Sequence, residues 1–133
     1  MQQGEDAAKA GNLDDAIGLY ETSLALHPRN RKAYIALAMI AEKQKLSGKA
    51  ITLYKEVLEI NPNDQRALIE QGRLFANKGA VERAESNLAR LKLLCGLNCN
   101  DNDKLKVAIN DAAKKGKILA SDINVKPETE SQN

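Results

Sequence analysis

Apolar residues recur at helical spacing from the N-terminus to about Lys115, and the runs break wherever helix breakers cluster. The breaks fall at Gly11-Asn12, at His27-Pro28-Arg29-Asn30, at Gly48 near Ser47, at Asn61-Pro62-Asn63 and at Gly79. The pattern predicts helices near 2–10, 13–26, 31–45, 48–60, 65–78 and 81–94. Asn30, and Asn63 or Asp64, are placed to cap helix starts with a side-chain oxygen. A seventh helix is expected over 102–116. There Leu105, Ala108, Ile109, Ala112 and Ala113 form one apolar stripe, acidic Asp101 and Asp103 suit its start, and Gly116 is expected to end it. No segment alternates apolar and polar residues at period two, so no sheet is expected.

A longer period lies over the helical one. Ala16, Ala50 and Ala84 are spaced by 34 residues, as are Tyr20 and Tyr54, Pro28 and Pro62, and Gly4, Ala38 and Gly72. Residues 11–30 and 45–64, aligned at this spacing, share Ala, Ile, Leu, Tyr, Leu and Pro. Small residues let two helices approach closely, and a proline closes the unit where a helix cannot continue. A repeat of this length is one helix–turn–helix unit stacked on copies of itself.

These columns resemble the tetratricopeptide repeat family, whose pattern is Trp-x2-Leu-Gly-x2-Tyr, then Ala, an aromatic and Pro. Tyr34, Leu37, Ala38, Ala50, Tyr54 and Pro62 match in the middle copy, and Gly72, Phe75 and Ala84 in the third. Gln71 stands in place of the usual Leu, and Gly96 occupies the Pro slot. In the first copy Gly4, Ala16, Tyr20 and Pro28 match, while the start of its first helix would lie before Met1, as in a trimmed or processed chain. The resemblance implies an all-α, right-handed superhelix of antiparallel helix pairs, a solenoid of about 2.5–3 repeats with a C-terminal capping helix. The repeats are expected at about 1–30, 31–64 and 65–98, so that 1–116 forms one domain with its cap at 102–116. The polar segment 117–133 is expected to be disordered.

Composition narrows the function. The chain has 133 residues, room for one domain, and a formal net charge of +2, too small to argue for nucleic acid. No apolar run approaches a membrane span. The single histidine, His27, precedes a turn proline with no nucleophile near it in sequence, and Asp14, Asp15 and Glu42 read as solvated helix-face charges. Tyr20, Tyr34, Tyr54 and Phe75 read as core. No catalytic residue, metal site or cofactor is expected.

Cys95 and Cys99 allow three readings: a disulfide across a short loop, reduced structural thiols, or a redox or metal pair. A disulfide would imply an oxidising compartment. Two thiols supply half of a typical structural zinc shell, and their spacing departs from thioredoxin-like motifs. The segment LARLKLLCGLNCNDNDKLKVAI resembles the C-terminal end of small exported alphaproteobacterial tetratricopeptide proteins, with a Leu-Cys-x3-Cys turn before a capping helix. That resemblance implies a periplasmic location, with the cytoplasm as the alternative.

In the tetratricopeptide family the first helix of each repeat lines a concave groove. The corresponding residues here are Lys32, Ile35, Met39 and Lys43, then Arg66, Ile69, Arg73 and Asn77. Bases flanking an apolar strip suit a peptide or protein segment with acidic and aliphatic side chains. The family's carboxylate-gripping set is not matched: Ile35 and Met39 stand where a Lys–Asn pair would be sought, and Glu70 where an Arg would be. The expected function is a non-catalytic interaction or scaffold module. A unit that self-associates through its incomplete first repeat is the alternative, and a thiol redox or metal carrier the third reading.

Overall fold

The computed structural model describes residues 3–5, 12–95 and 102–123, and all secondary structure among them is helical. Residues 3–5 are helical, and six helices follow: α1 Leu13–Leu26, α2 Arg31–Lys43, α3 Ser47–Ile60, α4 Gln65–Asn77, α5 Val81–Cys95 and α6 Asn102–Ile123. The chain divides into two compact units, residues 1–71 and 72–133.

In the first unit α2 packs against both α1 and α3. Ala16, Tyr20, Ala33, Leu37 and Ile40 form one buried cluster, with Leu13, Ile17, Leu24, Ala36 and Leu53 packed around it. Ala50, Tyr54 and Val57 bury the inner face of α3 completely. Gly4 is small for a reason: a Cβ there would sit 3.0 Å from the Tyr20 ring. Gln71, the departure from the family's Leu, is buried, and its Nε2 donates to the Ile51 carbonyl at 3.2 Å. A buried amide is tolerated because it is bonded.

The second unit pairs α5 with α6. Ala84 and Leu91 on α5, and Leu105 on α6, are fully buried, and Ile109 nearly so. Gly72 repeats the logic of Gly4: a Cβ there would meet both Leu105 methyls at 2.9 Å.

The helix starts follow the cap chemistry. Asn12 and Asn30 accept from the N–H groups of Asp15 and Ala33 at 3.3 Å, and Asp64, not Asn63, accepts from Ala67 at 3.0 Å. The helix ends alternate between two forms. At His27 and Asn61 the chain leaves in an extended or near-extended conformation, after each N–H has bonded back into the helix, and a proline follows. At Lys45 and Gly79 it leaves through the left-handed region, with φ of 65° and 85°. Leu46 N–H reaches Ala41 O at 2.8 Å and Lys45 N–H reaches Glu42 O at 3.0 Å; Ala80 and Gly79 make the same two bonds to Phe75 and Ala76. This doubled bond pattern satisfies the last carbonyls of a helix. The break expected at Gly48 therefore lies at Lys45, and Gly48 is already inside α3.

The last helix also differs from expectation. α6 continues to Ile123, so Gly116 does not end it and the segment expected to be disordered from 117 begins helical. One interior glycine costs about 1 kcal/mol relative to alanine, too little to stop a helix unless the backbone turns left-handed there. Residues 124–133 lie outside the described residues.

Tyr54 ties the first unit together. Its ring is fully buried and its hydroxyl donates to Glu42 Oε2 at 2.8 Å. Burial, and then the bond to Glu42, raise its pKa far above the usual tyrosine value.

Two outcomes follow from these placements. Lys45→Gly relieves a side chain held at positive φ, partly offset by the greater freedom of glycine in the unfolded chain, and should stabilise the fold by about 0.5–1 kcal/mol. The urea midpoint should rise; an unchanged or lower midpoint contradicts the strain. For Tyr54, the folded state keeps the phenolic proton while the unfolded chain releases it near pH 10. Stability is thus fully present below that pH and declines as pH rises above it. The midpoint should fall more steeply from about pH 10 to 11 in the parent than in Tyr54→Phe, which loses about 1 kcal/mol at pH 7 with its hydrogen bond. Tyr20, whose pKa burial and then Glu5 also raise, is common to both proteins and cancels in the difference.

Candidate functional site

The outer side of α2 is not spent on packing. Ala33, Leu37, Ala38, Ile40 and Ala41 bury its inner side, which leaves Lys32, Ile35, Met39 and Lys43 along one stripe. Steps of three and four residues keep them on one face. Lys32 and Lys43 are exposed, Ile35 is half-buried, and Met39 is 40% exposed, a high value for a large apolar residue.

Helix α4 brings Arg66 to this stripe. The Arg66 guanidinium lies against the methionine, Nη2 donating to Met39 Sδ at 3.3 Å. The structure therefore joins Lys32, Ile35, Met39 and Arg66 into one surface of the first unit. Ile69 is mostly buried and serves packing more than contact, because it faces the same side of α4 as Gly72 and Ala76, which are buried too. Arg73, half-buried, and Asn77, exposed, belong to the second unit.

Beside the start of α2 lies an open concavity of about 440 Å³, lined by Arg29, Asn30, Arg31, Lys32, Ile35, Asp64 and Arg66. Arg31 Nη1 bonds to Asp64 Oδ2 at 2.6 Å. The Asp64 carboxylate, 10% exposed, also caps α4 through the Ala67 N–H, so it is committed to the fold. A half-exposed pair of this kind adds little stability, but it fixes the start of α4 against the start of α2. Sequence reasoning missed Arg29 and Arg31. The signal was available: Arg31 and Asp64 lie one residue short of the repeat apart, so stacked copies place them side by side.

The remaining candidates fall to structural roles. His27 ends α1, its backbone N–H donating to Ser23 O at 2.8 Å. Asp15 is tied to Asn12 as part of the α1 cap. Tyr20 and Tyr54 are buried, and the half-buried Phe75 lies 5.6 Å beneath the Arg83 guanidinium. Among the described residues, no group of His, Cys, Asp and Glu could hold a metal ion, and no helix is long and apolar enough to cross a membrane. Cys95 Sγ lies 2.9 Å from the Leu91 carbonyl oxygen and 3.8 Å from Nδ2 of the buried Asn102. Cys99 lies outside the described residues.

Residues 1–65 match the tetratricopeptide repeat family. No curated protein sequence matches the chain significantly. Among solved structures, the chain is similar to the C-terminal TPR-containing domain of a Plasmodium falciparum protein described as FK506-binding, at 23% identity and a TM-score of 0.70, covering 87% of each chain. The Yersinia enterocolitica type III secretion chaperone SycD, in complex with a peptide of the translocator YopD, aligns at 16% identity and a TM-score of 0.69 over 90% of each chain. The first TPR of Spaghetti (RPAP3), bound to the HSP90 peptide SRMEEVD, aligns at 21% identity and 0.68, covering 90% of this chain and 89% of that one. At these identities the likeness is one of fold: the described residues are all helical, and the chain shares the fold of these tetratricopeptide structures.

Proposed function

We propose that this protein is a non-catalytic interaction module that binds a peptide or protein segment along α2 and the start of α4. The observation that carries the reading is the exposed stripe of Lys32, Ile35, Met39 and Lys43, met by Arg66, on helices whose other sides are consumed by the core. Two basic ends around an apolar middle favour a segment with acidic and aliphatic side chains. Met39 adapts to varied apolar contacts because its side chain is unbranched and polarizable. SycD with its YopD peptide and the Spaghetti repeat with SRMEEVD supply the analogy, since both structures hold a peptide on this fold. The gripping chemistry must differ in detail from a terminal-carboxylate clamp, given Ile35, Met39 and Glu70 at the positions such a clamp would use.

The test uses a fluorescein-labelled peptide alternating Glu and Leu. Lys32→Glu/Arg66→Glu should weaken its binding at least about tenfold, by removing attraction and adding repulsion. The loss should shrink in high salt, where exposed charges are screened. Lys55→Glu, on the exposed side of α3, should bind like the parent. Equal affinity of the double variant and the parent would place the binding site elsewhere.

We also propose that Cys95 and Cys99 form a disulfide, which accords with a periplasmic location. A loop this short is expected to contribute about 2 kcal/mol or less. Alkylation of the natively isolated protein without reductant, followed by mass spectrometry, should show no labelled thiol. Two labelled cysteines sink both the bridge and the compartment.

A further inference from the structure

We infer that the concavity at the start of α2 is a subsite for a phosphate monoester, a doubly charged group held by Arg29, Lys32 and Arg66. The inference deepens the interaction reading, since Lys32 and Arg66 belong to both surfaces. Its basis is an imbalance of charge. Four cations, Arg29, Arg31, Lys32 and Arg66, line one concavity of about 440 Å³ with a single carboxylate, Asp64. That carboxylate is nearly buried and already spent on Arg31 and the Ala67 N–H. Arg66 also bonds to Met39 Sδ and, with Glu42 and Glu70, lies within electrostatic range of Tyr54, while Asp64 is the carboxylate that lines the recess itself. Surface bases normally lie among acids, and here three remain around one recess.

Their position adds to the imbalance. Arg31 and Lys32 occupy the first turn of α2 and Arg66 the first turn of α4, and neither turn holds an acidic residue. The positive end of a helix dipole disfavours cations, so Lys32 is placed where the field of its own helix opposes it, while at α4 the capping Asp64 offsets that field. An anion in the recess is attracted both by the helix start and by the bases around it. A carboxylate answers one of the three cations. A phosphate monoester carries about −1.5 to −2 charges at pH 7 and three strong acceptor oxygens, which suits three cationic side chains lining one recess. Two of the three are guanidinium groups, whose planar fork suits two phosphate oxygens at once. Ile35, half-buried at the edge of the recess, offers apolar contact to the carbon chain that bears the phosphate.

The phosphate can arrive as a phosphorylated side chain of a groove peptide or as a small free ester, and the two are separable. The full-length chain, isotopically labelled, is titrated with inorganic phosphate, with N-acetyl-phosphoserine amide, and with three Leu-flanked peptides carrying Ser, Glu or phosphoserine. Sodium sulfate at equal ionic strength serves as the control for a generic anion. The expected result is movement of the Arg29 to Ala33 and Ala67 amides with both phosphates and weaker movement with sulfate. The phosphoserine peptide should bind at least about tenfold tighter than the Glu peptide, the size of one charge-assisted hydrogen bond. Arg29→Gln/Lys32→Gln should abolish that preference, while Lys43→Gln, outside the recess, should retain it. Tighter binding of the phosphopeptide than of phosphoserine amide assigns the ligand to a peptide side chain, and equal binding assigns it to a free ester. Equal affinity for the phosphoserine and Glu peptides, or unchanged preference in Arg29→Gln/Lys32→Gln, overturns the subsite. The Ser peptide keeps the two readings apart. If it binds along α2 while phosphate moves nothing, the groove stands and the subsite fails; if phosphate moves the recess while no peptide binds, the reverse holds.

Discussion

Close helix approach at residues too small to hold it off is the constraint on which this molecule depends. Ala16, Ala50 and Ala84 have no exposed surface, and Ala38 shares that state. Gly4 and Gly72 could not carry even a methyl group without meeting Tyr20 or Leu105 at about 3 Å. A chain poor in aromatics has few large side chains with which to fill wide gaps between helices. It gains burial by bringing backbones together, and Tyr20 lies against one of the small residues, Gly4. Larger side chains at these crossings overpack a contact that cannot expand locally.

The turns obey the same period as the crossings. His27 and Asn61 release the chain toward a proline, and Lys45 and Gly79 release it through positive φ, so equivalent copies bend alike even where their residues differ. Much of this was legible. The positions of α1 through α5, the caps at Asn30 and Asp64 and the buried alanines all follow from spacing and from side chains that satisfy backbone groups. The turn at Lys45 was not, because lysine carries no sign of positive φ; the sign lay one repeat away, in Gly79. Gly116 misled for the opposite reason, since a glycine in a helix and one beyond its end look alike in sequence.

The candidate site was legible as a face and not as a recess. Helical spacing assigns Lys32, Ile35, Met39 and Lys43 to one stripe, because the other side of α2 is visibly apolar. Spacing does not say how far a side chain sinks, and so Ile69, on the same family slot as Ile35, is mostly buried while Ile35 is half-exposed. Nor does it show Arg29, which lies in a turn where no periodicity operates. Long-range pairing places it: Arg31 reaches Asp64 across 33 residues, and that bond draws the starts of α2 and α4 together with their bases.

That bond links fold to function. Asp64 would neutralise any of the surrounding cations, but its carboxylate is held by the Ala67 N–H and aimed at Arg31. The cap that starts α4 therefore also removes the one acid from service in the recess. What remains are Arg29, Lys32 and Arg66, arranged around an opening next to an exposed methionine, to which Arg66 donates, and a half-buried isoleucine. A stability argument gives no account of them, because exposed bases on a helix's positive end contribute unfavourably or not at all. The proposed binding does: an anionic ligand would offset the repulsion among these bases, and the apolar strip beside them would receive the rest of that ligand.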